Sequence, residues 1–148
     1  MPAWVKTAYV DYEKRLRGWV PAELIEIAPA KRAKSYSDAQ ALQYKKDEGS
    51  RILSALKPRE TLICLEVTGK ALSTEDLADN LSGWMAQGSD VALVIGGADG
   101  MSDELLAQAS AKISLSRLTL PHQLVRVVLI EQIYRAMSLI NNHPYHRV

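Results

Sequence analysis

The chain has 148 residues, 47% hydrophobic and 24% charged, with a formal net charge of +1 at pH 7. That is enough for one domain, residues 1–148, with a proper apolar core, and so even a charge balance does not by itself announce a nucleic-acid binder. No apolar run reaches the length of a membrane span, the opening MPAWVKTAYVDYEKR lacks a signal-peptide core, and the single cysteine, Cys64, excludes an intrachain disulfide and fits a reducing cytoplasm.

The segment PAWVKTAYVDYEKRLRG sets Trp4, Val5, Ala8, Tyr9, Tyr12 and Leu16 on one helical stripe, with Pro2 suited to the first turn and Gly18 to the stop. ELIEIA (Glu23–Ala28) reads as a strand, followed by a polar loop, PAKRAKSYS. A second helix is predicted from about Asp38, acting as cap, to Lys57 before Pro58. TLICLEV (Thr61–Val67) is a continuous apolar run, as expected of a strand covered on both faces.

LSTEDLADNLSGWMAQG is a capped helix ending at Gly88, and DVALVI (Asp90–Ile95) is a second buried strand running into GGADG. SDELLAQAS reads as a short helix, KISLSRLTL (Lys112–Leu120) as an extended segment, and PHQLVRVVLIEQIYRAMSLI as a long final helix. Strands alternating with helices predict an α/β domain with a mainly parallel sheet flanked by helices, in which ligands bind beyond the carboxyl ends of the strands.

Charge is unevenly spread. Residues 1–60 hold 12 Lys/Arg against 8 Asp/Glu, or +4, and the remainder holds 6 against 9, or −3. The densest basic stretch is KRAK (Lys31, Arg32, Ala33, Lys34), a solvated surface or a contact for phosphates.

Three segments have the make-up of a site. In VIGGADG, glycines at the end of a strand let a ligand approach the backbone, though neither nucleotide-loop spacing is present. SLSRLTLP (Ser114–Pro121) combines apolar residues, three hydroxyls and Arg117, and fits a strand or a pocket wall lined by backbone. The last helix carries Leu124, Val127, Val128, Ile130, Glu131, Tyr134, Arg135, Met137 and Ile140, with no broad polar face. A helix apolar nearly all round must be covered twice, and a second copy of the chain is the economical partner. The tail NNHPYHRV would then reach the pocket of the partner copy. His143 and His146 are separated by Pro144 with no carboxylate beside them, so no metal site is expected. No G-x-S-x-G elbow supports a hydrolase.

Taken together, LVIGGADG, SLSRLTLPHQLVRVVLIEQIYRA and the terminal HPYHR resemble the small SPOUT-superfamily methyltransferases that modify N3 of a pseudouridine in large-subunit (23S) ribosomal RNA. The resemblance covers essentially the whole chain. It departs at Ala98 and Gln123, where many members have proline, and the sequence opens at a helix that a strand precedes in the family, so either the start lies further upstream or the usual first strand is missing.

The resemblance implies a deep trefoil knot in the C-terminal half, an obligate homodimer, and an S-adenosylmethionine pocket built from Leu65, Gly96, Leu115, Ser116, Arg117, Leu118, Thr119 and Leu120. It also implies action on the assembled ribosome in the cytoplasm, with Lys31, Arg32 and Lys34 on the RNA backbone. Catalysis would fall to Arg135, His122, Tyr145, His146 and Arg147. His146 is the expected proton acceptor, because an ordinary imidazole titrates near neutrality. The competing expectation is a non-catalytic ribosome- or nucleotide-binding α/β dimer, which would not need the tail beside a cofactor.

Overall fold

The computed structural model describes residues 1–147. Its centre is β1 (Thr61–Ala71), flanked by β2 (Val91–Ile95) and β3 (Ala111–Ser114) in the order β2-β1-β3, all parallel. Leu65 of β1 is in register with Ile95 on one side and Ile113 on the other. Side chains alternate across a strand, so Leu62 and Cys64 enter one core with Val94, Met101 and Leu105, while Ile63 and Leu65 enter another with Ile113 and Leu129. Burial on both faces is what the unbroken apolar run required. Burial also pushes the Cys64 thiol above its ordinary pKa, with help from the charge on Glu66.

Among the described residues there are five helices: α1 (Ala3–Leu16), α2 (Asp38–Ala55), α3 (Thr74–Gln87), α4 (Asp103–Gln108) and α5 (His122–Ile140). Residues Ile52, Leu53 and Leu56 of α2 and its end pack with α4 on the Cys64 face. On the other face Val125, Leu129 and Ile133 of α5 meet Ile63 and Leu65. Helices α1 and α3 then pack on α5, through Leu16 with Tyr134 and Met137, and through Leu77 and Ala78 with Ala136.

Local signals explain the helix ends. Ser73 accepts from Asp76 N while the Asp76 side chain accepts from Ser73 N, and Gly88 closes α3 in the left-handed region at φ 68°. In α2 the cap is Ser37, which forms the same reciprocal box with Gln40, so Asp38 is the first helical residue rather than the cap. Gly18 does not end α1 in a left-handed conformation; amides of Trp19 and Val20 bond back to the Leu16 carbonyl instead. Trp4, expected on the covered stripe, is 55% exposed, whereas Val5 and Leu16 are fully buried.

One expected strand is corrected, and one extended segment proves to be a strand only in its first part. Glu23–Ala28 has no strand structure. β-propensity reflects fit to a sheet neighbour, and this segment is fastened by side chains instead: Arg51 Nη1 donates to the Ala28 carbonyl at 2.7 Å and Arg126 Nη1 to Glu26 at 3.3 Å. The extended segment Lys112–Leu120 pairs only as far as Ser114. Beyond that point Ser114 Oγ donates to the Ser116 carbonyl, and the Leu118 amide donates to Ser116 Oγ, turning the chain away from the sheet. No helix among the described residues is long and apolar enough to cross a membrane.

Candidate active site

The carboxyl edge of the sheet brings together the three stretches proposed for the cofactor. Leu65 sits between Ile95 and Ile113, Gly96 follows Ile95 directly, and Leu115 follows Ser114. Leu65, Ile95, Ile113 and Leu115 share one apolar cluster with Val125 of α5. Around this floor Arg117, Leu118 and Thr119 are exposed, Leu118 to 71%, while Ser116 and Leu120 are half-buried. The Ser116 turn spends one amide and one carbonyl of 116–120 on local bonds. An apolar floor beside exposed backbone suits an adenosine group, whose ring is flat and apolar on its faces and polar at its edge. The residues present therefore fit S-adenosylmethionine.

The two depressions beside α2 lie elsewhere. One of about 160 Å³ is lined by Lys46, Gly49, Leu53 and Ser102, and one of about 350 Å³ by Asp38, Ala41, Lys45 and Asp99. Neither includes a residue of 115–120 or of the tail. Concavity within a single chain therefore does not coincide with the residues expected to hold the cofactor.

After α5 the chain turns at Asn142, in the left-handed region at φ 55°, with the His143 amide bonded to the Ser138 carbonyl at 2.8 Å. The tail folds back along α5 and α1. Tyr145 packs edge-on against Tyr134 at 4.6 Å between ring centres, its hydroxyl lies 3.2 Å from that of Tyr12, and it donates to Glu131 Oε1 at 3.2 Å. Arg135 holds the same carboxylate, with Nη2 at 2.7 Å, and lies over the Tyr145 ring at 4.8 Å. Its guanidinium is held above its ordinary pKa, chiefly by the hydrogen bond to Glu131.

His146 lies between two charges. Arg135 Nη1 is 3.4 Å from its Nδ1, and its Nε2 is 3.2 Å from Glu75 Oε1. A guanidinium can only donate and a carboxylate only accept, which puts the imidazole hydrogen on Nε2 and leaves Nδ1 as acceptor in a long, weak contact. Burial, followed by the bonds and charges of Tyr12 and Glu131, raises the Tyr145 phenol well above its ordinary value. Tyr145 therefore stays protonated at neutral pH and serves as a donor. Arg147 is exposed.

Not every candidate joins this cluster. His122 is exposed at the first turn of α5, beside Gln123, and lies about 20 Å along the helix from Arg135 at about 1.5 Å rise per residue. Within one chain, α5 thus meets the carboxyl edge of the sheet near one end and the tail at the other. Lys31 and Lys34 are exposed, whereas Arg32 is turned inward to Glu48 and Asp99. Sequence reasoning missed Glu131, Glu75 and Tyr12. The spacing of Glu131 and Arg135 on one helix was a usable signal; for Glu75 and Tyr12, contacts distant in sequence, there was none. Among the described residues no three His, Cys, Asp or Glu side chains are grouped to hold a metal ion.

The chain is an α/β domain with a small parallel three-stranded sheet flanked by helices and a polar tail folded back on the last of them. A family described as "Predicted SPOUT methyltransferase" matches residues 1–146, and the chain belongs to that family. A protein of Acinetobacter baumannii called "Ribosomal RNA large subunit methyltransferase H" is 57% identical over 147 residues, covering 99% of this chain and 92% of the relative. Proteins of the same name from Psychrobacter cryohalolentis and Acinetobacter baylyi are 60% and 56% identical with the same coverage.

Proposed function

We infer that this chain is an S-adenosylmethionine-dependent methyltransferase that acts on large-subunit ribosomal RNA, at N3 of a pseudouridine, on the assembled ribosome in the cytoplasm. The observation that carries the reading is the meeting of Leu65, Gly96 and the 115–120 turn at the carboxyl edge, in a chain whose full-length relatives bear the name of that activity. A binding module without catalysis is the weaker reading, because it gives no purpose to a tail that fixes an imidazole between Arg135 and Glu75.

Bound S-adenosylmethionine supplies an electrophilic methyl group on a positively charged sulfur. Leu65, Gly96 and Leu115–Leu120 would hold it, mostly through backbone, and the knotted path expected of the family would fix these loops. The remaining work is alignment and removal of the N3 proton. His146 accepts that proton once Nδ1 is released from its weak contact with Arg135. Negative charge left on the uracil oxygens is stabilised by Arg135 or Arg147, and Tyr145 supplies a hydrogen bond. His122, exposed at the start of α5, faces the substrate side of the cofactor edge in this scheme.

The separation of tail and cofactor edge along α5 favours a homodimer in which each tail serves the partner's pocket. Trp4 and the half-buried Val127 and Val128 supply apolar surface for such a contact. Lys31 and Lys34 meet phosphates, with Arg32 holding their segment in place. Complementation tests the composite site. A chain lacking the tail and a chain with Leu118→Asp, each inactive alone, regain transfer when refolded together. Failure to regain activity, with both variants shown to pair, would contradict the shared site.

A further inference from the structure

The basic segment and the glycine loop are joined through one side chain that methyl transfer itself does not use. Arg32 donates from Nε to Asp99 Oδ2 at 2.9 Å, from Nη1 to Glu48 Oε2 at 2.6 Å, and from Nη2 to Glu48 Oε1 at 3.1 Å. Its Nη1 also reaches the Ala30 carbonyl at 3.2 Å, and its flat face lies 5.1 Å from the centre of the Tyr44 ring. Tyr36 donates its hydroxyl hydrogen to Asp99, 3.2 Å from Oδ2. A guanidinium this committed, with its side chain 15% exposed, has little capacity left for a phosphate.

The carboxylate it grips is equally committed. Glu48 is 7% exposed and also accepts from the Ala30 amide at 2.9 Å. Its Oε1 would stand 2.8 Å from a Cβ at Gly97, so a side chain there would push against the carboxylate of α2. The loop turns on itself between Gly97 and Gly100, the latter at φ 87°. Three pieces of backbone, the basic segment, α2 and the glycine loop, therefore meet on one guanidinium.

We propose that Arg32 is a positioning residue for S-adenosylmethionine, tying the Gly96–Gly100 loop through Asp99 to α2 and the basic segment so that Gly96 meets the cofactor in one conformation. The proposal rests on the reading of Gly96 as part of the cofactor pocket. A loop with three glycines in five residues has wide conformational freedom, and ordering it on binding would weaken affinity. Two charge-assisted contacts at its far side hold it ordered beforehand.

The test is the dissociation constant for S-adenosylmethionine, measured by calorimetry on the full chain well below the melting temperature of each variant. Asp99→Ala and Arg32→Lys are expected to weaken binding about tenfold, and Asp99→Glu, which restores a carboxylate, to keep near wild-type affinity. Gly88→Ala strains the α3 end and lowers the melting temperature far from the loop, and is expected to leave affinity unchanged. Wild-type affinity in Asp99→Ala, or equal weakening in Gly88→Ala, overturns the positioning role. Wild-type protein that binds no S-adenosylmethionine overturns the functional reading, and the two failures are told apart by that first measurement.

Discussion

The Tyr145 hydroxyl and the Glu131 carboxylate, 14 residues apart, meet at 3.2 Å. The same Glu131 oxygen accepts from Arg135 Nε at 2.9 Å, so one carboxylate on α5 fixes both the tail and the cation beside His146. A chain end held by aromatic packing, a shared carboxylate and a histidine contact is an organised part of the molecule rather than a frayed terminus.

Tyr145→Phe removes the bonds to Glu131 and Tyr12 while keeping the ring against Tyr134. It is expected to lower stability by about 1 kcal/mol and to slow methyl transfer with little change in cofactor affinity. Denaturant unfolding and single-turnover kinetics on the same preparation measure the two effects. A variant with full activity would remove the hydroxyl from the chemistry.

Deleting Tyr145–Val148 is expected to abolish turnover while S-adenosylmethionine still raises the melting temperature, since a ligand selective for the native state must do so. Turnover equal to that of the full chain would exclude the tail from the mechanism.

Burial alone would raise the Glu48 carboxyl, but the bonds from Arg32 and the Ala30 amide, with the Arg32 charge, hold it below its ordinary value. A carboxyl whose folded pKa is depressed adds stability that is present above the unfolded pKa and lost as pH falls through the folded one. Wild-type stability should therefore drop steeply below about pH 4. Glu48→Gln, which leaves Arg32 short of a charge partner, should be about 3 kcal/mol less stable at neutral pH and flatter in acid. Equal acid slopes for the two proteins would show that the pair does not govern this limb. At the other extreme, the raised Tyr145 phenol adds stability present below about pH 10 and lost as pH climbs through its folded value.

Lys31→Ala combined with Lys34→Ala is expected to weaken ribosome binding and to reduce the slope of log affinity against log salt by about 1.5. An unchanged slope would mean that these lysines meet no phosphate.

Much of the fold was legible because its signals are local. Helix α3 shows its Ser73 cap, its Asp76 partner and its Gly88 end within one stretch, and β1 and β2 declare themselves by short continuous apolar runs, as expected of strands in a covered sheet. Glu23–Ala28 also carries strand-forming residues, Leu24, Ile25 and Ile27, but a strand needs a neighbour's backbone, and composition does not report whether one is present. The site divides in the same way. The glycine loop, the 115–120 turn and the tail were readable as unusual segments. Glu48 was not, because in the charged run KKDEG nothing distinguishes the one residue that tertiary packing turns inward. The Tyr12 and Tyr145 hydroxyls meet across 133 residues, a contact no spacing rule anticipates.

The most direct test is transfer of labelled methyl from S-adenosylmethionine to ribosomes lacking the modification, with the labelled nucleoside identified by mass spectrometry. The account predicts label on N3 of a single pseudouridine of the large-subunit RNA, lost in the tail-deleted chain. Absence of label with folded, cofactor-binding protein, or label on another nucleoside, would contradict it.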